Sequence, residues 1–277
     1  MRRIFIVISV FSLLFAACRG GRSGREVADV PADTVVNDTV SADSLAGLAD
    51  TPMPKAADEL FDDFIFNFAA NRKLQMERIA FPLQKTNGDR VETVERGQWK
   101  MEYYFMRQHY YTLLFDSERD MEVVNDTSVN HAVVEMIYFN TGAIIQHVFD
   151  RRRGAWMLTA IRTIPISQSH NASFLTFYHR FASDAEFQRQ SLAESIQFVG
   201  PDPDDDFAQM EGVITPDTWE AFAPELPSRM IYNIVYGQPR SEALRKLFVL
   251  RGIANGLEVE MSFRRISGQW KLVKLST

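Results

Sequence analysis

Phe149-Asp-Arg-Arg-Arg-Gly154-Ala-Trp156-Met-Leu158-Thr-Ala-Ile161-Arg-Thr163 returns near the end of the chain as Phe263-Arg-Arg-Ile-Ser-Gly268-Gln-Trp270-Lys-Leu272-Val-Lys-Leu275-Ser-Thr277. The offset is 114 residues, and it also pairs Gly142 with Gly256. Further upstream, Phe61, Phe64, Ile65 and Phe68 are matched by Phe174, Phe177, Tyr178 and Phe181 at an offset of 113, which also pairs Gln75 with Gln188. Between these anchors Trp99 faces Trp219, and Tyr110–Phe115 faces Ile231–Tyr236. One register held through glycines, tryptophans and two apolar faces marks an internal duplication.

Each copy reads alike. The aromatic spacing i, i+3, i+4, i+7 predicts an amphipathic helix with a wide apolar face. A second helix follows, capped by Asn71 in copy one and by the capping box Ser183-Asp-Ala-Glu186 in copy two. A third, short helix carries the tryptophan, with Thr215-Pro216-Asp217 as its opening in copy two. The hydrophobic period then falls to two. This predicts strands at 132–139, 143–149 and 156–161, and at 243–252, 257–264 and 270–275, separated by Asn-Gly-type and Ser-Gly-type turns. Helices followed by an antiparallel meander give an α+β class. The expectation is two tandem repeats, residues 56–166 and 167–277, each of about three helices and a curved four-stranded antiparallel sheet.

On these residues, above all Gly154-Ala-Trp156 and Gly268-Gln-Trp270, the chain resembles the nuclear transport factor 2-like (cystatin-like cone) fold. A tandem pair behind a lipidation signal is similar to the Bacteroides-type lipoproteins of domain-of-unknown-function family 4348. The resemblance implies architecture and brings no catalytic residues with it. That fold hosts isomerases, dehydratases, cyclases and plain binding modules.

Composition agrees with a packed chain: 277 residues, 46% hydrophobic and 12% aromatic, exclude a mainly disordered protein. A formal net charge of −6 argues against a nucleic-acid partner held by a basic face. The single cysteine, Cys18, excludes disulfide frameworks, cysteine zinc sites and redox pairs.

Cys18 also sets the address. Met1-Arg2-Arg3 is a short basic start, Ile4–Phe15 is apolar apart from Ser9 and Ser12, and Leu14-Phe15-Ala16-Ala17-Cys18 resembles a bacterial lipobox. Twelve helical residues span about 18 Å, short of the roughly 30 Å hydrocarbon core. Residues 1–17 therefore read as a signal peptide, and Cys18 as the acylated new N-terminus. Two or three acyl chains on one residue give a stable membrane anchor. Arg19 after the cysteine and the basic run to Arg25 imply, by resemblance to such lipoproteins, an outer-membrane protein facing the periplasm. Residues 18–55 carry no aromatic side chain and scattered aspartates. They read as a flexible tether with a span of roughly 35 Å.

No phosphate-cradling glycine loop, Gly-x-Ser-x-Gly elbow or His-Glu-x-x-His is present, and no cofactor or metal is expected. Candidate chemistry lies in the predicted cone of copy one. Glu135 sits in an otherwise apolar strand: buried, it would be a base with a raised pKa. Otherwise it faces solvent or pairs with Arg162. His147 alternates with Ile145 and Phe149 and reads as core or as pocket lining. Tyr103, Tyr104, His109 and Tyr138 are candidate ligand contacts, since tyrosines suit a sugar or aromatic ligand. Asp202-Pro-Asp-Asp-Asp206 lacks the glycine and distal glutamate of a calcium loop, and Arg151-Arg152-Arg153 reads as a basic hairpin tip.

Two functions follow. The first is a non-enzymatic envelope module binding a protein, peptide or glycan, its cones paired face to face as an intramolecular pseudo-dimer that buries Tyr138, Phe139 or Phe248. The alternative is a small-molecule isomerase, dehydratase-like or hydrolytic enzyme centred on Glu135 and His147.

Overall fold

The computed structural model describes residues 58–202, 205–237 and 243–277. The described residues all belong to the unit Val40–Thr277. The signal peptide, Cys18 and the tether to residue 55 lie outside the described residues.

The first half opens with α1 (Phe61–Ala70), whose buried stripe of Phe61, Phe64, Ile65 and Phe68 follows the helical spacing. Asp62 and Asp63 in its first turn complement the helix dipole. In α2 (Arg72–Glu77) the Asn71 side chain accepts from Leu74 N at 3.0 Å. The second half repeats this with α3 (Ala172–Ser183) and α4 (Ala185–Gln190). Here the cap is Asp184, which accepts from Phe187 N at 3.0 Å and lies 113 residues from Asn71. The expected Ser183–Glu186 capping box is thus corrected. The Ser183 hydroxyl donates back to His179 O, and Glu186 accepts from Gln190.

Among the described residues each half contributes six strands, not four. They are β1 (Ile79–Asn87), β2 (Arg90–Val94), β3 (Tyr110–Phe115), β4 (His131–Tyr138), β5 (Ala143–Arg152) and β6 (Ala155–Pro165). The second half supplies β7 (Leu192–Asp202), β8 (Asp205–Ile214), β9 (Met230–Tyr236), β10 (Arg245–Gly252), β11 (Glu258–Ile266) and β12 (Gln269–Ser276). The expected third helix shrinks to single 3-10 turns, Arg96–Gln98 and Trp219–Ala221. Thr215 and Thr218 bond one another in a turn instead of opening a helix.

The recurring Gly-x-Trp stretches now have a geometric cause. β5 and β6 join through Arg153-Gly154, and β11 and β12 through Ser267-Gly268, all four with positive φ. Two-residue turns of that hand match the twist of the strands they connect. A register shift between Val148 and Phe149 in β5 recurs between Ser262 and Phe263 in β11. Bulges at matching places bend both halves in the same way.

All twelve strands form one mixed sheet in the order β2-β1-β6-β5-β4-β9-β3-β10-β11-β12-β7-β8. Consecutive strands usually neighbour one another, so a self-contained half would seat β3 beside β4. Instead β9 of the second half pairs antiparallel with β4, and β3 of the first half pairs antiparallel with β10. Each half completes the other's sheet. β3 and β9 then run parallel side by side, paired only at Thr112↔Asn233 and Leu113↔Ile234.

The expectation of two separate sheets packed face to face is therefore corrected: the halves join edge to edge. The physical gain is that no long strand edge is left open between them. Alternate residues of the central strands face opposite cores. Leu247 and Val249 pack with Phe64, Phe68, Leu113 and Ile234 in the first core. Phe248 and Leu250 pack with Phe174, Tyr178, Ile137 and Ile231 in the second. The two helical layers thus cover opposite faces of one sheet, and Phe139 and Phe248 are buried against Tyr178 rather than against a second sheet.

Candidate functional site

The sheet face that carries the first core presents Val134, Met136 and Tyr138 of β4, His147 of β5 and Tyr232 and Ile234 of β9. A 3-10 turn, Tyr104–Arg107, closes over them. Tyr104 is 1% exposed, and its ring stands edge-on to the His147 ring at 5.0 Å. Burial drives the Tyr104 hydroxyl well above its ordinary pKa, with Glu102 and Tyr232 adding to the effect. Burial likewise holds His147 down at about 4, so the imidazole is neutral at pH 7. Tyr232 is raised for the same reason, again with Glu102 and Tyr138 nearby.

Three buried polar atoms in this cluster, Tyr104 Oη, His147 Nδ1 and Gln108 Oε1, have no hydrogen-bond partner. The Gln108 amide nitrogen reaches only the Met230 sulfur, at 3.4 Å. Buried polar groups are nearly always satisfied, so three orphans together are a feature of this face. Met261 stands at the position of His147 in the second half and is fully buried in the second core. Of the two equivalent positions, only the first carries a polar side chain.

Tyr104 and Tyr138, both expected at a ligand face, are brought together here. Tyr103 is exposed at the rim with the Arg107 guanidinium 4.1 Å over its ring. His109 is exposed, in a turn of positive φ, and its carbonyl accepts from Ile253 N. Glu102, Gln108 and Tyr232 were not foreseen. Tyr232 belongs to the other copy, and nothing in local periodicity signals that it crosses over.

Glu135 and His147 do not converge. Glu135 lies opposite Gln146 and Asn233 in the register, whereas His147 lies opposite Val134, which places the two side chains on opposite sheet faces. Glu135 is 1% exposed and accepts from Gln146 Nε2 at 2.9 Å and Asn233 Nδ2 at 3.1 Å. Burial raises its pKa against both hydrogen bonds. Arg162 is one strand further away, opposite Gln146.

Arg151 is no free basic tip: its guanidinium covers Trp156 and donates to the carbonyls of Asp58, Glu59 and Thr127. Part of the Asp202–Asp206 run lies outside the described residues. Among the described residues no group of three or more His, Cys, Asp or Glu side chains could hold a metal ion. None of the described helices is long and apolar enough to cross a membrane.

Where β3 and β9 diverge, a cleft of about 880 Å³ opens between the halves. At its floor Lys246, 3% exposed, donates to Asp116 Oδ1 and Asn171 Oδ1, both at 2.5 Å. One buried ammonium thereby ties the end of β3, the start of α3 and the start of β10.

The model of a domain of unknown function, DUF4348, matches residues 41–277. An NTF2-like protein from Bacteroides fragilis, solved by crystallography, is 42% identical, over 81% of this chain and 98% of that chain, with a TM-score of 0.73. No curated protein matches. The α+β, NTF2-like fold is common to both chains.

Proposed function

The chain belongs to the DUF4348 family, and we propose that it is a non-enzymatic binding module built from two cone-like units, residues 56–166 and 167–277. Its ligand face is the concave side of the first unit, completed by Tyr232 from the second. A neutral, hydroxyl-rich ligand such as a glycan fragment suits it. The observation that carries this reading is the set of buried, unpartnered Tyr104, His147 and Gln108 atoms, with Tyr103 exposed beside them in sequence. Ring faces stack on sugar rings while the hydroxyl, imidazole and amide oxygen meet ligand hydroxyls.

The enzyme alternative drew on Glu135 and His147 acting together, and their placement on opposite faces removes that couple. The module is held to the cell envelope by acyl chains on Cys18, on the periplasmic side of the outer membrane, with residues 18–55 as the leash. The lipobox-like Leu14–Cys18 supports this.

The test is thermal unfolding against a panel of neutral mono- and disaccharides. A saccharide should stabilise the wild-type protein but neither Tyr104→Phe nor His147→Met. Saccharides that stabilise none of the three, or all three equally, would remove the reading. For the anchor, Cys18→Ser should release the protein from the membrane fraction, and mass spectrometry of the native protein should find an acylated Cys18.

A further inference from the structure

On the sheet face opposite α3, a groove of about 510 Å³ runs between the chain after β3 and strands β10, β11 and β12. Five cations line it, Arg119, Arg245, Lys246, Arg264 and Lys274, against two carboxylates, Asp116 and Glu118. Those carboxylates are already taken by Lys246 and Lys274, at 2.5 and 2.8 Å. Arg119, Arg245 and Arg264 are left with no ion pair or hydrogen bond from their side chains among the described residues.

Two of the three stand in the least favourable arrangement a sheet offers. Arg245 is directly opposite Arg264 across the β10–β11 ladder, and like charges so placed repel. Among the described residues neither guanidinium has a carboxylate partner, in a chain whose net charge is −6. Across the groove Ser262, Lys274 and Gln197 stand in register, with Leu247, Phe263 and Val273 also lining it.

We propose that this groove is a binding site for a small organic polyanion, a molecule with two or more phosphate or carboxylate groups. Paired guanidinium forks grip such groups through two parallel N–H donors each. Arg119 on the opposite wall receives a second anionic group, while Ser262 and Gln197 bond its remaining oxygens. The volume lies in the range of small-molecule pockets. The groove lies on the same sheet face as the first core, to which Leu247 belongs, but Tyr104, His147 and Tyr232 are not among its lining residues.

Isothermal titration of the purified protein at low ionic strength tests it, with pyrophosphate and citrate as probes and inorganic phosphate as the single-anion reference. Pyrophosphate or citrate should bind at least about tenfold more tightly than inorganic phosphate, a difference of about 1.4 kcal/mol. Arg245→Ala and Arg264→Ala should each weaken that binding by about tenfold or more, and Arg264→Lys by less, since it keeps the charge but loses the fork. Arg90→Ala, at an exposed arginine paired with Glu92, should change nothing. Binding of pyrophosphate alone assigns phosphate chemistry, and of citrate alone carboxylate chemistry. No binding of either probe, or binding unaltered in a folded Arg245→Ala/Arg264→Ala double variant, would overturn the proposal.

Discussion

Trp99 Nε1 donates to Gln75 Oε1 at 3.0 Å, and the same bond recurs between Trp219 and Gln188 at 2.9 Å. In both halves the glutamine amide also donates to the carbonyl near the end of the preceding aromatic helix, Phe68 O or Phe181 O. The pairing of these residues along the chain is therefore a repeated device, in which one amide, buried in the first half and half-buried in the second, fastens the tryptophan turn to the helix end. Gln75 does more than its counterpart: it also donates to Glu102 O and accepts from Glu102 N. All four of its hydrogen-bonding positions are filled.

Gln75→Leu should accordingly destabilise the protein by several kcal/mol, since each partner stranded in a buried site costs about 1–3 kcal/mol. Gln188→Leu should cost less, having fewer partners to strand. Urea denaturation of both variants measures the difference, and equal losses would contradict the accounting.

Glu135 is a carboxylate that the fold holds at raised pKa by burial. The folded state binds the proton more tightly than the unfolded chain. Its contribution is therefore fully present below the ordinary carboxylate value of 4.5 and lost as pH rises through the folded pKa. Glu135→Gln removes this dependence, so its stability relative to wild type should improve between pH 5 and pH 8. Glu135→Leu leaves the Gln146 and Asn233 amides without their acceptor and should destabilise at both pH values, by about 1–3 kcal/mol per amide.

His147 titrates in the opposite sense. The folded imidazole stays neutral down to about 4, whereas the unfolded chain takes up a proton near 6.5. Stability is thus lost as pH falls through that interval, by up to about 3 kcal/mol at its acid end. His147→Met, which places the second half's residue in the first, should flatten this slope. Denaturation at pH 7.5 and pH 4.5 reads it out, and parallel slopes for variant and wild type would refute it.

Strand exchange predicts that the backbone can be cut between the halves without separating them. Ser167 and Gln168 are exposed in the short turn before α3, and a protease site introduced there should be cleaved readily. The fragments should still co-elute under native conditions, because β9 fills the edge beside β4 and β3 the edge beside β10. Fragments that part and each keep a dispersed amide spectrum would mean that the halves are independent.

The α+β class, the aromatic helices and the final three strands of each half were legible because they rest on local rules. A stripe at i, i+3, i+4, i+7 has one apolar side only on a helix, and a two-residue Arg-Gly or Ser-Gly turn closes only a hairpin. Strands β1, β2, β7 and β8 were missed, since two of them are sheet edges where solvent allows polar residues on both faces. The ligand face was half legible. Tyr104, Tyr138 and His147 stand out as polar aromatic side chains among apolar neighbours, yet Tyr232 reaches them only through the exchanged strand.

The amino-acid order alone, then, determined that the chain is doubled, that each copy begins in helix and ends in meander, and which residues point inward along the aromatic helices. Which copy's strand completes which sheet was decided only in three dimensions. β3 and β9 carry nearly the same apolar alternation, and either could satisfy the open edge beside β4. Edge pairing uses backbone groups common to every residue. The choice is made by side chains that meet across more than ninety residues, Glu135 with Asn233 on one face and Phe105 with Tyr232 on the other.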